Sequence, residues 1–160
     1  MILFDFNSQS ELSNWEIVDD VVMGGRSTGF FSITPDGHGL FKGRISLENN
    51  GGFSSVRQRF TSKLLGKFSK VKLQVKGDGK PYQFRIRSSA ADSHAYVATF
   101  KTSSAWNEIE IPFESMYPSF RGRRLDLPNY PGHKMEEIAF LIANNKAESF
   151  VLEIKSIELE

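Results

Sequence analysis

The sequence predicts an all-β chain, folded as an antiparallel β-sandwich with the two stacked sheets of a jelly roll. Three observations carry this. Residues 68–76 and 81–88 alternate strictly, with Val71, Leu73 and Val75 set against Lys70, Lys72, Gln74 and Lys76, and Tyr82, Phe84 and Ile86 against Gln83, Arg85 and Arg87; a period of two over this length marks a half-buried strand. About ten such segments recur at a spacing of roughly 8–15 residues, separated by Gly, Pro, Asn and Ser clusters, which is sandwich spacing. No stretch sustains a helical period.

In chain order, residues 2–6 and 14–18 are short and rich in Phe, Ile, Val and Trp, and read as strands. Between them, Ser8 to Ser13 suits one helical turn capped by Asn7 or Ser8. Residues 29–34 form a strand stopped by the turn signal Pro35-Asp36-Gly37, and residues 39–47 follow, with Gly43 marking a bulge or a close approach. Residues 53–60 alternate, with Val56, Gln58 and Phe60 facing one way and Ser55, Arg57 and Arg59 the other. The strands 68–76 and 81–88, joined across Gly77-Asp78-Gly79, read as a hairpin. Strands 94–101 and 106–112 come next. Residues 113–135, with prolines at 118, 128 and 131, break the rhythm and read as a long irregular stretch, functional or tightly packed. Residues 136–144 are apolar on both faces and predict a central strand. Residues 149–159 close the sheet with Phe150, Leu152 and Ile154 in phase.

A length of 160 residues suits a single domain over 1–160, large enough to bury a core without a staple. The absence of cysteine excludes disulfides, thiolate zinc sites and a cysteine nucleophile. A net charge of +1, with both signs interspersed, gives no bulk drive toward nucleic acid or a membrane surface. The opening Met1-Ile2-Leu3-Phe4-Asp5-Phe6 has neither a basic n-region nor a long apolar run, and no segment approaches the ~20 apolar residues of a membrane span. The expected location is cytoplasmic.

Two stretches echo one another: Asp19-Asp20-Val21-Val22-Met23-Gly24-Gly25-Arg26-Ser27 and Asn49-Asn50-Gly51-Gly52-Phe53-Ser54-Ser55-Val56-Arg57. Glycine pairs permit positive φ and close backbone approach, so both read either as tight turns setting strand register or as one rim of a binding surface. Neither leads into a helix or a Gly-Lys-Ser/Thr, so neither is a phosphate loop. Asp19 and Asp20 are adjacent on a strand and point to opposite faces, which argues against a catalytic carboxylate pair. Asp20 is expected to accept turn amides, with a calcium ion as the weaker option. Gly77-Asp78-Gly79 resembles a fragment of a calcium loop but reads as a turn. His38, His94 and His133 lack zinc-ligand spacing, and Gly-x-Ser-x-Gly is absent.

Arginines are more informative. Arg57, Arg59, Arg85 and Arg87 fall on the polar faces of strands that can be neighbours, where they would share a surface with Gln83, Gln74 and Lys72. That face is either a solvated exterior or a docking surface for an acidic partner, since guanidinium forks bind carboxylates at two points. Residues 113–124 mix Phe, Met, Tyr and Arg, the composition of interface hot spots. There Arg121, Gly122 and Arg123 are the candidate exposed contacts, and Phe113 and Phe120 either plug the sandwich end or join them.

Several motifs stand in a fixed order: Trp15 with Val18 to Ser27; Phe41-Lys42-Gly43 with Asn49 to Arg57; Val75 to Gly79 with Tyr82; Trp106 with Ile111-Pro112-Phe113; Phe120-Arg121-Gly122-Arg123; and Phe150 to Ile154. In this order the chain, from about Phe4 to Ile157, resembles the complex I intermediate-associated protein 30 family. The resemblance implies a galactose-binding-domain-like β-sandwich. It also implies a non-catalytic, chaperone-like role, because mitochondrial members assist a membrane-arm intermediate of respiratory complex I. The chain shows no transit peptide and reads as a free-standing, minimal version. Some members carry an adjoining nucleotide-binding domain; no such domain is read here, so no cofactor is expected. The expectation is a protein-binding assembly factor for a respiratory or other complex. The competing expectation is a carbohydrate-binding module using the concave sheet, with Tyr82, Tyr96, Trp106 and Tyr117 as candidate platforms.

Overall fold

The computed structural model describes residues 1–160, the side chain of Val22 apart. Thirteen strands form two antiparallel sheets: β1 (Ile2–Asp5), β2 (Trp15–Asp19), β3 (Thr28–Ile33), β4 (Gly39–Ile45), β5 (Ser54–Leu64), β6 (Lys70–Lys76), β7 (Pro81–Arg87), β8 (Ala95–Lys101), β9 (Asn107–Pro112), β10 (Tyr117–Phe120), β11 (Arg123–Arg124), β12 (Lys134–Ile142) and β13 (Glu148–Leu159). One sheet runs β3-β4-β13-β6-β9, with β1 also paired to β13; the other runs β11-β10-β8-β7-β12-β5-β2. Short helical turns interrupt the strands at Asp20–Met23, Glu48–Asn50 and Phe113–Ser115.

Alternation places the core between the sheets. Val71, Leu73 and Val75 of β6 meet Phe84 and Ile86 of β7 and Ile138, Phe140 and Ile142 of β12, all of them fully buried. Gly43 has no room for a side chain: a Cβ there would lie 2.0 Å from the carbonyl oxygen of Thr28 on the paired strand. Beside the core, Phe4, Phe6 and Phe31 surround Trp15 with ring centroids 5.1, 5.8 and 5.2 Å away. These four rings lock β1 and β2 against β3.

Strands 68–76 and 81–88 form as expected, but not as a hairpin. β6 pairs with β9 and β13, whereas β7 pairs with β8 and β12 in the facing sheet. Gly77–Gly79 is therefore a crossover. Gly77 N–H donates to the Ser103 carbonyl at 2.8 Å, Gly79 N–H donates to Thr102 Oγ1 at 3.2 Å, and Gly79 adopts φ +85°. Asp78 ties the crossover to β13 by accepting from Val151 N–H at 2.9 Å and from the Tyr82 hydroxyl at 3.0 Å. Period-two patterning is the same for a hairpin partner and for a strand of the opposing layer, because both bury one face. As a result Lys72 and Gln74 lie in the sheet opposite the arginines, and Lys72 instead meets Glu108 at 2.8 Å and Glu160 at 3.0 Å.

Two connections also differ from the sequence expectation. Residues 8–13 form turns rather than a helix, with Gln9 N–H donating to Asn7 Oδ1 at 2.8 Å. The stretch 113–135 is not featureless: it holds the 113–115 turn and the hairpin β10–β11. Phe84→Ala removes a ring that is 0% exposed and is predicted to cost about 3–5 kcal/mol. A scanning-calorimetry midpoint lowered by on the order of 10 °C is the expected reading.

Candidate functional site: a groove on the seven-stranded sheet

The outward face of the seven-stranded sheet is set by the register around β12. Glu137 lies between Arg59 and Arg87, Ala139 between Arg57 and Arg85, and Leu141 between Ser55 and Gln83. The arginines of β5 and β7 thus share one surface, with β12 as the strand between them. Tyr82 is not part of it. Odd residues of β7 face outward and even ones inward, so Tyr82 is 1% exposed and its hydroxyl is spent on Asp78 and the Val151 carbonyl. That corrects its assignment as a contact residue; burial and the Asp78 charge push its hydroxyl far above the usual tyrosine range.

Over this face lies a groove of about 500 Å³, lined on its floor by Arg57, Gln83, Arg85, Arg87, Glu137, Ala139 and Leu141. One wall is the β10–β11 hairpin, contributing Ser119 to Gly122. Its tip is a two-residue turn with Arg121 at φ +50° and Gly122 at φ +77°, the mirror-image turn whose twist matches a hairpin. Arg121 sits over the Phe120 ring, 5.3 Å from its centroid. Arg123, exposed on β11, does not line the groove, and Phe113 is buried while Phe120 stays 40% exposed at the rim.

Met23 and Phe53 line the groove from the two glycine-pair stretches, beside Val18 of β2. Those stretches are held together by one carboxylate. Asp20 is 1% exposed. Its Oδ1 accepts from Ser27 N–H at 2.8 Å, and its Oδ2 accepts from the Ser27 hydroxyl at 2.6 Å, Gly52 N–H at 2.6 Å and Phe53 N–H at 3.3 Å. The glycines make room for it. A Cβ on Gly25 would lie 2.4 Å from Asp20 Cγ, and one on Gly51 would lie 2.5 Å from Oδ2. Gly24 at φ +90° and Gly52 at φ +143° turn the chain. Burial raises the Asp20 pKa, but the Ser27 hydroxyl and the Gly52, Ser27 and Phe53 amides together outweigh it and hold the carboxyl below its ordinary value. Four N–H and O–H donors aimed at these oxygens make an anion's environment, which disfavours the calcium option for Asp20.

The electrostatics of the floor are uneven. Glu137, 4% exposed, accepts from Arg59 Nε at 2.7 Å and Arg87 Nε at 2.8 Å, with Arg57 Nη1 at 3.9 Å. Arg57 also meets Glu16 at 3.3 Å. Among the described residues Arg85 has no carboxylate partner; its Nε and Nη2 both donate to Gln83 Oε1, at 3.0 and 2.9 Å. Burial, then the neighbouring charge of Arg87, pull its pKa below the usual arginine value.

The candidate sugar platforms do not assemble. Tyr96 packs on Tyr130 at 4.9 Å, Trp106 packs edge-on to His38 at 4.7 Å, and Tyr117 lies under Arg124 at 4.8 Å. No three acidic or histidine side chains among the described residues come together as metal ligands. Glu137 is the site residue that the sequence reading passed over. A glutamate entering an apolar central strand is the signal that marks it, since such a charge must be met by cations.

Together, the layers define an antiparallel β-sandwich of the jelly-roll type with a groove on its seven-stranded sheet. The family model described as complex I intermediate-associated protein 30 matches residues 4–154, and the chain belongs to that family. Among its relatives is the mitochondrial complex I intermediate-associated protein 30 of Drosophila melanogaster, 24% identical across 99% of this chain and 62% of that protein. The Mus musculus protein of the same name is 25% identical across 98% of this chain and 55% of that protein. The chain therefore spans somewhat more than half the length of these relatives. In fold it is similar to the family 11 carbohydrate-binding module of Clostridium thermocellum, solved with a mixed-linked β-1,3-1,4 tetrasaccharide, with TM-score 0.70, 20% identity and coverage of 99% of this chain and 93% of the module.

Asp20→Ala is predicted to cost about 2–3 kcal/mol by stranding its buried donors. Because the folded pKa is depressed, Asp20 contributes its full stability above an unfolded value of about 3.9. That contribution is lost as pH falls through the lower folded value. Urea titrations at decreasing pH should show a decline below pH ~4 in the native chain that is shallower in Asp20→Asn.

Proposed function

We propose that this chain is a non-catalytic, chaperone-like binding module that assists assembly of a larger protein complex, respiratory or other. It would act in the cytoplasm by holding a segment of a partner polypeptide in the groove of the seven-stranded sheet. Family membership supports the assembly role, since the curated relatives are named for association with a complex I intermediate.

One observation carries the reading: the composition of the groove. Ala139, Leu141, Phe53 and Met23 offer apolar contact, Arg85 and Arg121 offer charge, and none of the described lining residues is Trp or Tyr. Apolar centres rimmed by arginine suit polypeptide side chains, and the aromatic rings that do line the groove are Phe53 and Phe120. Catalysis is disfavoured by Glu137, the groove's one described carboxylate. Both its oxygens are engaged by guanidiniums, which leaves no geometry for taking a substrate proton. The carbohydrate reading keeps one supporting observation, the likeness in fold to the family 11 module.

Mild-detergent isolation of the tagged chain from its native host is predicted to recover subunits of an incomplete complex that are released on maturation. Phe120→Asp with Arg121→Glu should reduce that recovery about tenfold or more at an unchanged thermal midpoint. Calorimetric titration with the mixed-linked β-1,3-1,4 tetrasaccharide should show no binding below about millimolar Kd; clear sub-millimolar binding without co-isolated subunits transfers the chain to the carbohydrate reading.

A further inference from the structure

The geometry points to Arg85 as the receptor for one carboxylate on the partner segment, an aspartate or glutamate side chain flanked by apolar residues. This deepens the protein-binding reading and rests on it. Gln83 Oε1 occupies the Nε–Nη2 edge at 3.0 and 2.9 Å. The end-on edge of Nη1 and Nη2 has no partner among the described residues, and two parallel N–H groups at such an edge match the two oxygens of a carboxylate. Gln83 also fixes the fork, so little side-chain freedom is left to lose on binding.

Charge complementarity selects the occupant. Arg59 and Arg87 have Glu137, and Arg57 has Glu16 and Glu137. Arg85 alone of the four is in ion-pair contact with no carboxylate among the described residues; half-buried beside Arg87, it feels the already paired Glu137 only at a distance, an arrangement that a carboxylate at its open edge relieves. Glu137 lines the same groove, but both its oxygens are already held by Arg59 and Arg87, so it leaves the outer edge of Arg85 free. The next row of the floor, Leu141, and the walls, Met23 at 62% and Phe120 at 40% exposure, supply apolar contact on either side of the charge. A volume of about 500 Å³ lies within the ~300–1,000 Å³ range of sites that enclose a ligand.

The test uses an array of short random peptides, each made with aspartate or asparagine and with glutamate or glutamine at the acidic position. The full chain should enrich peptides with an acid next to Leu, Phe or Met. Exchange of the acid for its amide should weaken binding on the order of tenfold to a hundredfold. Arg85→Gln should erase the acid preference by the same factor, and Arg85→Lys, which keeps the charge but not the two-point edge, should lose part of it. Lys155→Gln, an exposed charge on the other sheet, should leave it intact, and thermal midpoints identify any variant that fails to fold. Peptides bound equally in acid and amide form overturn the carboxylate receptor and leave the protein-binding reading standing. An array with no enriched peptide overturns both.

Discussion

A single buried carboxylate organises the end of this sandwich that carries the candidate site. Asp20 gathers donors from residues 7, 32 and 33 positions further along the chain. In this way it welds the loop after β2 to the loop before β5. An isolated buried charge is costly, and only a full set of donors makes it tolerable. Here the donors are mostly backbone amides, which the chain presents only because Gly24, Gly25, Gly51 and Gly52 let it turn and approach so closely. The same clasp holds Met23 and Phe53 in the groove wall. Stability and the shape of the candidate site thus depend on one set of hydrogen bonds.

A second buried carboxylate, Glu137, shapes the floor. Ion pairs of this kind contribute less to stability than their number suggests, because desolvation offsets much of their attraction. Their effect here is positional. Glu137 draws Arg59 and Arg87 to itself, with Arg57 shared between it and Glu16. Arg85 is left with an amide oxygen as its only described protein acceptor. A surface with four arginines is in this way reduced to one available guanidinium beside apolar residues. As a receptor, such a surface would be more selective than a uniformly cationic patch and would ask for a partner of defined chemistry.

Much of the architecture was legible because period-two patterning reports directly which face of a strand is buried. The central position of β12 and the outward phase of Arg57, Arg59, Arg85 and Arg87 on their own strands follow from local pattern. Sheet membership does not. β6 and β7 look like a hairpin because a strand in the facing layer buries its face in the same way, and this misplaced Lys72 and Gln74. Tyr82 was misjudged for a related reason: its aromatic character suggested a platform, whereas its phase with Phe84 and Ile86 already placed it inside. The Asp20 clasp was half visible, as an aspartate before a glycine turn. Its link to Gly52 and Phe53 is a long-range contact that no local rule encodes. The long stretch 113–135 hid a two-stranded hairpin because β11 is only two residues long.

The central claim is that partners bind on the outward face of the seven-stranded sheet. Hydrogen–deuterium exchange on the chain, free and bound to a co-isolated partner, tests it most directly. The account predicts slowed exchange at Phe53 to Arg57, Gln83 to Arg87 and Ser119 to Gly122 in the complex. Slowing confined to β3, β4 and β13 of the other sheet, with these three segments unchanged, would contradict it.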